Sequence, residues 1–264
     1  MDRHDWALPS THTRQPDPDW ANARVIELAP GPLAEWDAPR YAEPGEFDPE
    51  TCFYVGDRGG TSYFARMVSG GRELRLRVGE IPPAEVGVVF AAAALVNWHA
   101  AAGFCPACGG LTAAAHLGAS RECLQCEREL FPRTDPAVIV RVTDGADRIL
   151  LGRQPSWEPG RMSVFAGFVE AGESLEQAVH RELLEEVGLS VGQVSYFGSQ
   201  PWPFPRSIML AFTTRAETTD VSTDDEIEAA RWFTREELAA ALAAGEVHLP
   251  SVHSIARRMI DAWM

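Results

Sequence analysis

Glu182, Glu185 and Glu186 stand at i, i+3 and i+4 in the run Ser174-Leu175-Glu176-Gln177-Ala178-Val179-His180-Arg181-Glu182-Leu183-Leu184-Glu185-Glu186-Val187-Gly188-Leu189. On a helix this spacing puts three carboxylates on one side, where like charges repel by about 0.2–0.5 kcal/mol per pair. Helix propensity does not ask for that arrangement, but a hard divalent cation does. Mg²⁺ or Mn²⁺ takes carboxylate oxygens, keeps several waters and completes its shell with substrate phosphate. Arg181 can pair with Glu185 one turn on, or with Glu173 in the preceding loop, and so orient the acids. A solvated acidic face is the competing reading for an isolated Glu-x-x-Glu-Glu. Against it stands the longer frame: Gly167, five residues, Glu173, seven residues, then Arg181-Glu182-Leu183-x-Glu185-Glu186-x-Gly188-Leu189.

Two further groups of residues carry chemistry. In Ser199-Gln200-Pro201-Trp202-Pro203-Phe204-Pro205-Arg206-Ser207, alternate prolines fix an extended backbone that cannot join the interior of a sheet. Trp202 and Phe204 then either stack on a flat ring or cover the core, and Gln200 and Ser207 can hydrogen-bond an amide, ribose or phosphate. Cys105-x-x-Cys108 and Cys123-x-x-Cys126, fourteen residues apart, have the spacing of two metal knuckles. Four thiolates so placed suit one tetrahedral, structural Zn²⁺ per chain. Few basic residues surround them (Arg121, Arg128, Arg133), so a fold-stabilising ribbon is expected rather than an RNA grip. Cys52 reads as a small buried apolar residue.

These groups need elements to hold them. Ser174 with Gln177 forms a capping box, and Gly188 is a left-handed stop, so a helix is predicted over 174–187 with Leu175, Ala178, Val179, Leu183 and Val187 facing a core. Strands are predicted at 24–28, 52–55, 61–67, 73–78, 137–142, 148–151, 162–169, 194–198, 207–214 and 229–233. Further helices are predicted at 82–102, 234–244 and 251–263. The pattern divides the chain into a polar arm over 1–22, a β-rich domain over 23–102, a ribbon over 103–133 and an α/β domain over 134–264. With 264 residues and 45% hydrophobic content the chain can bury a core. Its net charge of −15 argues against coating of polyanions, although a bound cation can reverse the sign locally. No apolar run approaches the roughly 20 residues that span a bilayer, and the first residues lack the order of a signal peptide. A cytoplasmic protein with no membrane partner is therefore expected, and reduced, paired cysteines fit that address.

The frame from Gly167 to Leu189 resembles the box of the Nudix hydrolases, and the segment from Ser199 to Ser207 is similar to the signature of their NADH pyrophosphatase subfamily, which also removes NAD caps from RNA. The resemblance implies a Nudix α/β/α sandwich with a mixed sheet, preceded by a zinc ribbon and a degenerate Nudix-like N-terminal domain. It implies hydrolysis of NADH or NAD⁺ to NMNH or NMN plus AMP in a homodimer, with more than one catalytic Mg²⁺ or Mn²⁺. It assigns metal ligation to Glu182, Glu186, Glu226 and the Ala166 carbonyl. Substrate binding goes to Phe168, Gln200, Pro201, Trp202, Pro203, Phe204, Pro205, Arg206, Ser207 and the backbone of Ala256. Glu185 and Glu186 are both left as candidates for the general base. Many members carry Gln where this chain has Arg206. Relatives often have Tyr in place of Phe131, a position that reaches the dimer mate's substrate and can here stack but not donate. The rivals are a Nudix diphosphatase for another dinucleotide and a zinc-ribbon RNA-binding protein with an inactive Nudix domain. The intact Glu182, Glu185 and Glu186 argue against the latter.

Overall fold

The structure, a computed structural model, describes residues 18–30, 33–34, 41–70, 72–74, 78–223 and 225–264. The arm expected over 1–22 lies outside the described residues as far as residue 17. At its end, Trp20 meets Phe47 and Phe64 edge-on at 5.1 and 4.8 Å, and its indole N–H donates to the Gly45 carbonyl. The chain forms two compact units, one comprising the residues up to Thr134 together with Pro201–Ser207, the other Asp135–Gln200 and Ile208–Met264.

In the first unit, β1 (Arg24–Leu28), β2 (Leu33–Ala34), β3 (Tyr41–Ala42), β4 (Cys52–Arg58), β5 (Thr61–Met67) and β6 (Arg72–Glu73) precede helix α1 (Val86–Ala101). The main sheet has the order β3-β1-β5-β4 and is mixed, since β1 pairs with β5 in parallel while β3 and β4 are antiparallel to their neighbours. Alternation along β1 explains its placement: Val25 turns to a cluster with Trp20 and Phe64, while Ile26 and Leu28 join the main core with α1. The helix starts at Val86, later than expected, with Pro82 and Pro83 in the preceding turn. The strand expected over 73–78 is replaced by β6 and a 3-10 turn at Val78–Glu80, with 75–77 outside the described residues.

The cysteine segment adds β7 (Thr112–Ala115), β8 (Ser120–Cys123) and β9 (Glu129–Leu130), an antiparallel three-stranded sheet. Its two knuckles repeat one geometry. The Cys105 N–H donates to the Gly110 carbonyl and the Gly109 N–H to the Cys105 carbonyl; likewise Cys123 donates to Arg128 and Glu127 to Cys123. The residue after each second cysteine is left-handed, Gly109 at φ 74° and Glu127 at φ 57°. Beneath the sheet, buried Arg121 donates to the Thr112 hydroxyl and carbonyl, to Glu50 and to His99 Nδ1. The opposite ring nitrogen of His99 lies 2.9 Å from the Gly118 carbonyl, which fixes it as the donor, and the ring stacks on Phe53 at 3.6 Å. Cys52 is buried, as expected.

The second unit contains β10 (Asp135–Thr143), β11 (Ile149–Arg153), β12 (Phe165–Phe168), α2 (Leu175–Val187), β15 (Ala229–Phe233), α3 (Arg235–Ala243) and α4 (Ile255–Asp261), with all of β13 (Ser195–Trp202) and β14 (Ser207–Arg215) but their facing ends at Pro201, Trp202 and Ser207. Its sheet runs β13-β14-β10-β11-β15, with β12 also paired to β10. Strand periodicity builds the layers. Val138, Val140, Val142 and Leu150 face α2, whereas Ile139, Ile149 and Leu151 face α3 and α4. The fold is thus α/β, with helices on both faces of this sheet. β13 continues through Pro201, beyond the end predicted at 198, and does so as an edge strand, where a missing N–H is tolerated. α4 begins after 254 because Ser254 caps it, its hydroxyl accepting from Arg257 N–H.

Burial, with the adjacent Arg121 charge adding to it, lowers His99 to about 4, against the Gly118 bond that favours the charged ring. Folding therefore releases a proton that the unfolded imidazole binds near its ordinary value, so stability falls as pH drops through that window. The melting temperature should decline from pH 6.5 toward 4, and His99→Gln should flatten that decline. An unchanged slope in the variant would remove His99 as its source.

Candidate active site

The carboxylate helix is defined at both ends. The Ser174 hydroxyl accepts from Gln177 N–H at 3.2 Å, and the Gln177 amide oxygen accepts from Ser174 N–H at 2.8 Å. At the far end Gly188, at φ 68°, lets Leu189 N–H return to the Leu183 carbonyl at 3.0 Å. Between them Ala178, Val179, Leu183 and Val187 bury the apolar stripe. Glu182 and Glu186, one turn apart, are buried beside it at 9% and 3% exposure, while Glu185 is exposed.

Glu182 reaches across Gly167 of β12. A Cβ built on Gly167 would stand 1.9–2.2 Å from the three carboxyl atoms of Glu182, so only glycine leaves room. The strand carrying it is held against β10 by the pairs Val138↔Gly167 and Ile139↔Ala166. Arg181 organises the acids: it grips both oxygens of Glu173 at 2.8 and 2.9 Å and donates to Glu182 at 2.9 Å and Glu185 at 3.0 Å. It also donates to the Phe168 carbonyl at 2.8 Å. One cation thus ties loop, strand end and helix together.

The electrostatics follow from these contacts. The hydrogen bonds from Arg181 hold Glu173 below the usual carboxylate range, and Glu173 in turn keeps Arg181 protonated. Burial raises Glu182, with the nearby charges of Glu185 and Glu226 adding to that and Arg181 opposing it. Glu226 is itself exposed. Its field at Glu182 links the acid outside the helix to those on it.

Other expected site residues are placed as follows. Phe168, at the end of β12, exposes 57% of its surface, and Ala166 is half-buried. Ala256 is buried in α4. Gln200 is fully buried, its amide donating to the His253 carbonyl at 2.7 Å and accepting from Ile255 N–H at 2.6 Å. Both ends of that amide fasten β13 to the start of α4, so no direct side-chain role toward substrate is proposed for Gln200. The residues after it belong to the other unit. There Pro203 and Phe204 are buried and Trp202 half-buried in the core formed with α1, while Pro205 and Arg206 are exposed. The core-covering alternative is thus the one realised for Phe204. Ser207 is buried and Phe131 is exposed at 46%.

The four cysteines gather with all their sulfurs within 4.8 Å of one another. Cys123 Sγ accepts N–H bonds from Cys126 and Gln125 at 3.4 Å each, and these pull its thiol down to about 6. The Gly110 N–H favours the Cys108 thiolate, but hydrogen bonds with Cys126 and Cys123, together with burial, outweigh it and push that thiol up to about 12. Four sulfurs this close ionise together only around a cation. Among the described residues the carboxylates of Glu182, Glu186 and Glu226 are not drawn so tightly together.

Gly167→Ala should displace the Glu182 carboxylate and reduce turnover about a hundredfold or more, because a misplaced ligand costs transition-state positioning. Circular dichroism should show the fold retained. Near-normal kcat in a folded variant would mean that the Glu182–Gly167 contact has no part in the chemistry.

Residues 133–254 match the family model of the NUDIX domain. The chain is 48% identical over 186 residues to the NAD-capped RNA hydrolase NudC of Mycobacterium tuberculosis, covering 67% of this chain and 59% of that protein. To the NAD-capped RNA hydrolase NUDT12 of Homo sapiens it is 40% identical over 194 residues, covering 68% and 42%. The chain therefore spans about three-fifths or less of the length of these curated relatives. A NUDIX hydrolase structure from Nitrosomonas europaea matches 55% of the chain and 96% of its own at 22% identity, with a TM-score of 0.42. With the carboxylate helix, its glycine-cleared strand and the arginine hub all inside the matched residues, residues 133–254 form a NUDIX domain.

Proposed function

We propose that this chain hydrolyses the pyrophosphate of NADH or NAD⁺, giving NMNH or NMN plus AMP, and that it removes NAD caps from RNA 5′ ends by the same reaction. The observation that carries the reading is the pair of buried acids, Glu182 and Glu186, set beside a strand whose glycine leaves room for a carboxylate and whose end carries the exposed Phe168 ring. The names of the relatives, NAD-capped RNA hydrolases, support the substrate class. In the reaction a water oxygen attacks one phosphorus, the bridging P–O bond breaks, and the proton of the water passes to a carboxylate, Glu185 or Glu186.

The donor set fits a hard divalent cation, since two buried carboxylates one turn apart and a backbone carbonyl offer only oxygen. Glu182, Glu186, Glu226 and the Ala166 carbonyl would hold Mg²⁺ or Mn²⁺, which when bound neutralises phosphate charge and makes water more acidic. Arg181 keeps Glu182 and Glu185 oriented, and Phe168 offers its ring to a base or nicotinamide. Arg206, exposed at the hairpin tip, suits a phosphate.

We read the cysteine cluster as a structural Zn²⁺ site, supported by its four-sulfur composition and its knuckle geometry. The divisions proposed are an N-terminal domain over 23–102, a ribbon over 103–133 and a catalytic domain over 134–264. A homodimer is proposed from the resemblance at Phe131, and a cytoplasmic address from the reduced cysteines. No helix among the described residues is long and apolar enough to cross a membrane.

Glu186→Gln should leave the fold intact and lower kcat on NADH about a hundredfold, roughly 2.7 kcal/mol of transition-state stabilisation. Mass spectrometry of products from NADH and from NAD-capped RNA, with Mg²⁺ and then Mn²⁺, should show AMP or 5′-monophosphate RNA. Near-normal turnover by the variant would remove Glu186 from the site, and products other than these would overturn the substrate assignment. Cys108→Ser should release about one zinc per chain and lower the melting temperature before it lowers turnover. Loss of turnover at an unchanged melting temperature would make the cluster catalytic instead.

A further inference from the structure

We infer that α1 fixes the shape of the loop Pro201–Ser207 for substrate recognition, with Asn97 and Phe90 as positioning residues; this rests on the proposed reading of that loop as part of the NAD-binding site. Loop and helix belong to the same compact unit although about a hundred residues separate them in sequence. Pro201, Pro203 and Pro205 have no N–H, so the turn between β13 and β14 can do little to satisfy its own carbonyls. The amide of Asn97 does so from outside, donating to the Pro203 carbonyl at 2.9 Å and to the Pro205 carbonyl at 3.1 Å. Within the tip, Phe204 N–H donates to the Trp202 carbonyl at 2.8 Å.

The aromatic side of the loop is held by the same helix. Phe90 meets Trp202 and Phe204 edge-on, each at 5.7 Å with interplanar angles of 87° and 89°, and those two rings meet each other at 5.1 Å. Phe90 and Asn97 are seven residues apart, two helical turns, so they lie on one side of α1. One residue anchors the rings and the other the carbonyls. With Phe204 held in the core, the exposed groups at the tip are Pro205 and Arg206. The direction in which Arg206 leaves the loop is therefore set by a helix that carries no reacting group itself. This gives the N-terminal half a task in the reaction beyond stability.

The test uses the full chain with Asn97→Leu, which keeps the approximate volume and removes the donor, and Phe90→Leu as a second variant. For each, KM and kcat on NADH, the melting temperature and amide hydrogen exchange of peptides covering 201–207 are measured. Asn97→Leu should raise KM about fivefold or more while kcat stays within about twofold, the pattern of lost binding rather than lost chemistry. Exchange in the loop should quicken, with the melting temperature within about 3 °C of the parent. Faster loop exchange with an unchanged KM would overturn the inference, as would unchanged exchange, or a fall in kcat that tracks lost stability. A parent protein that cleaves no NADH would instead sink the functional reading, and the exchange comparison would still report whether Asn97 holds the loop.

Discussion

The candidate active site depends on a carboxylate occupying the space that a side chain would take. Glu182 can lie over β12 only because residue 167 has no Cβ, and it stays there because Arg181 ties it to Glu173 and to the Phe168 carbonyl. A buried carboxylate is expensive unless it is hydrogen-bonded or paired, and Arg181 meets that demand while burial still raises Glu182 above its ordinary range. The strand must therefore be fixed to within fractions of an ångström. The pairing of β12 with β10, and the capping box that sets where α2 begins, provide that fixity.

Much of this was legible in the sequence because it is local. Ser174, Gln177 and Gly188 declare the helix ends, and the i, i+3, i+4 acids declare the face, so α2 falls almost where expected. The knuckles were legible for the same reason, since a Cys-x-x-Cys turn closes within six residues. The division of labour among the acids was not. That Glu185 lies at the surface on Arg181 while Glu182 and Glu186 turn inward depends on which side of α2 meets β12, a tertiary fact.

The segment after Gln200 shows where local reading stops. Its prolines correctly exclude the interior of a sheet, and β13 is indeed an edge strand. Whether Trp202 and Phe204 stack on a ligand or fill a core could not follow from their own neighbourhood, because the deciding residues, Phe90 and Asn97, are about a hundred positions earlier. Nothing in the pattern of α1, an almost uniformly apolar helix, marks Asn97 as a partner of a distant loop. Gln200 reads as a ligand-binding amide by type, yet its two ends are bonded to the His253 carbonyl and to Ile255 N–H at the start of α4.

The assignment of Pro201–Ser207 to the first unit bears on how the protein is made. A ribosome releases the first 134 residues well before Phe204, so during synthesis the core around α1 lacks one of its buried rings and the carbonyl partners of Asn97. Domains generally fold as units in the order they emerge. Here the earlier unit cannot reach its final packing until the hairpin at Pro201–Ser207 has been made. Truncating the chain ahead of the hairpin would leave Phe90 without its two ring partners and Asn97 without its carbonyl acceptors.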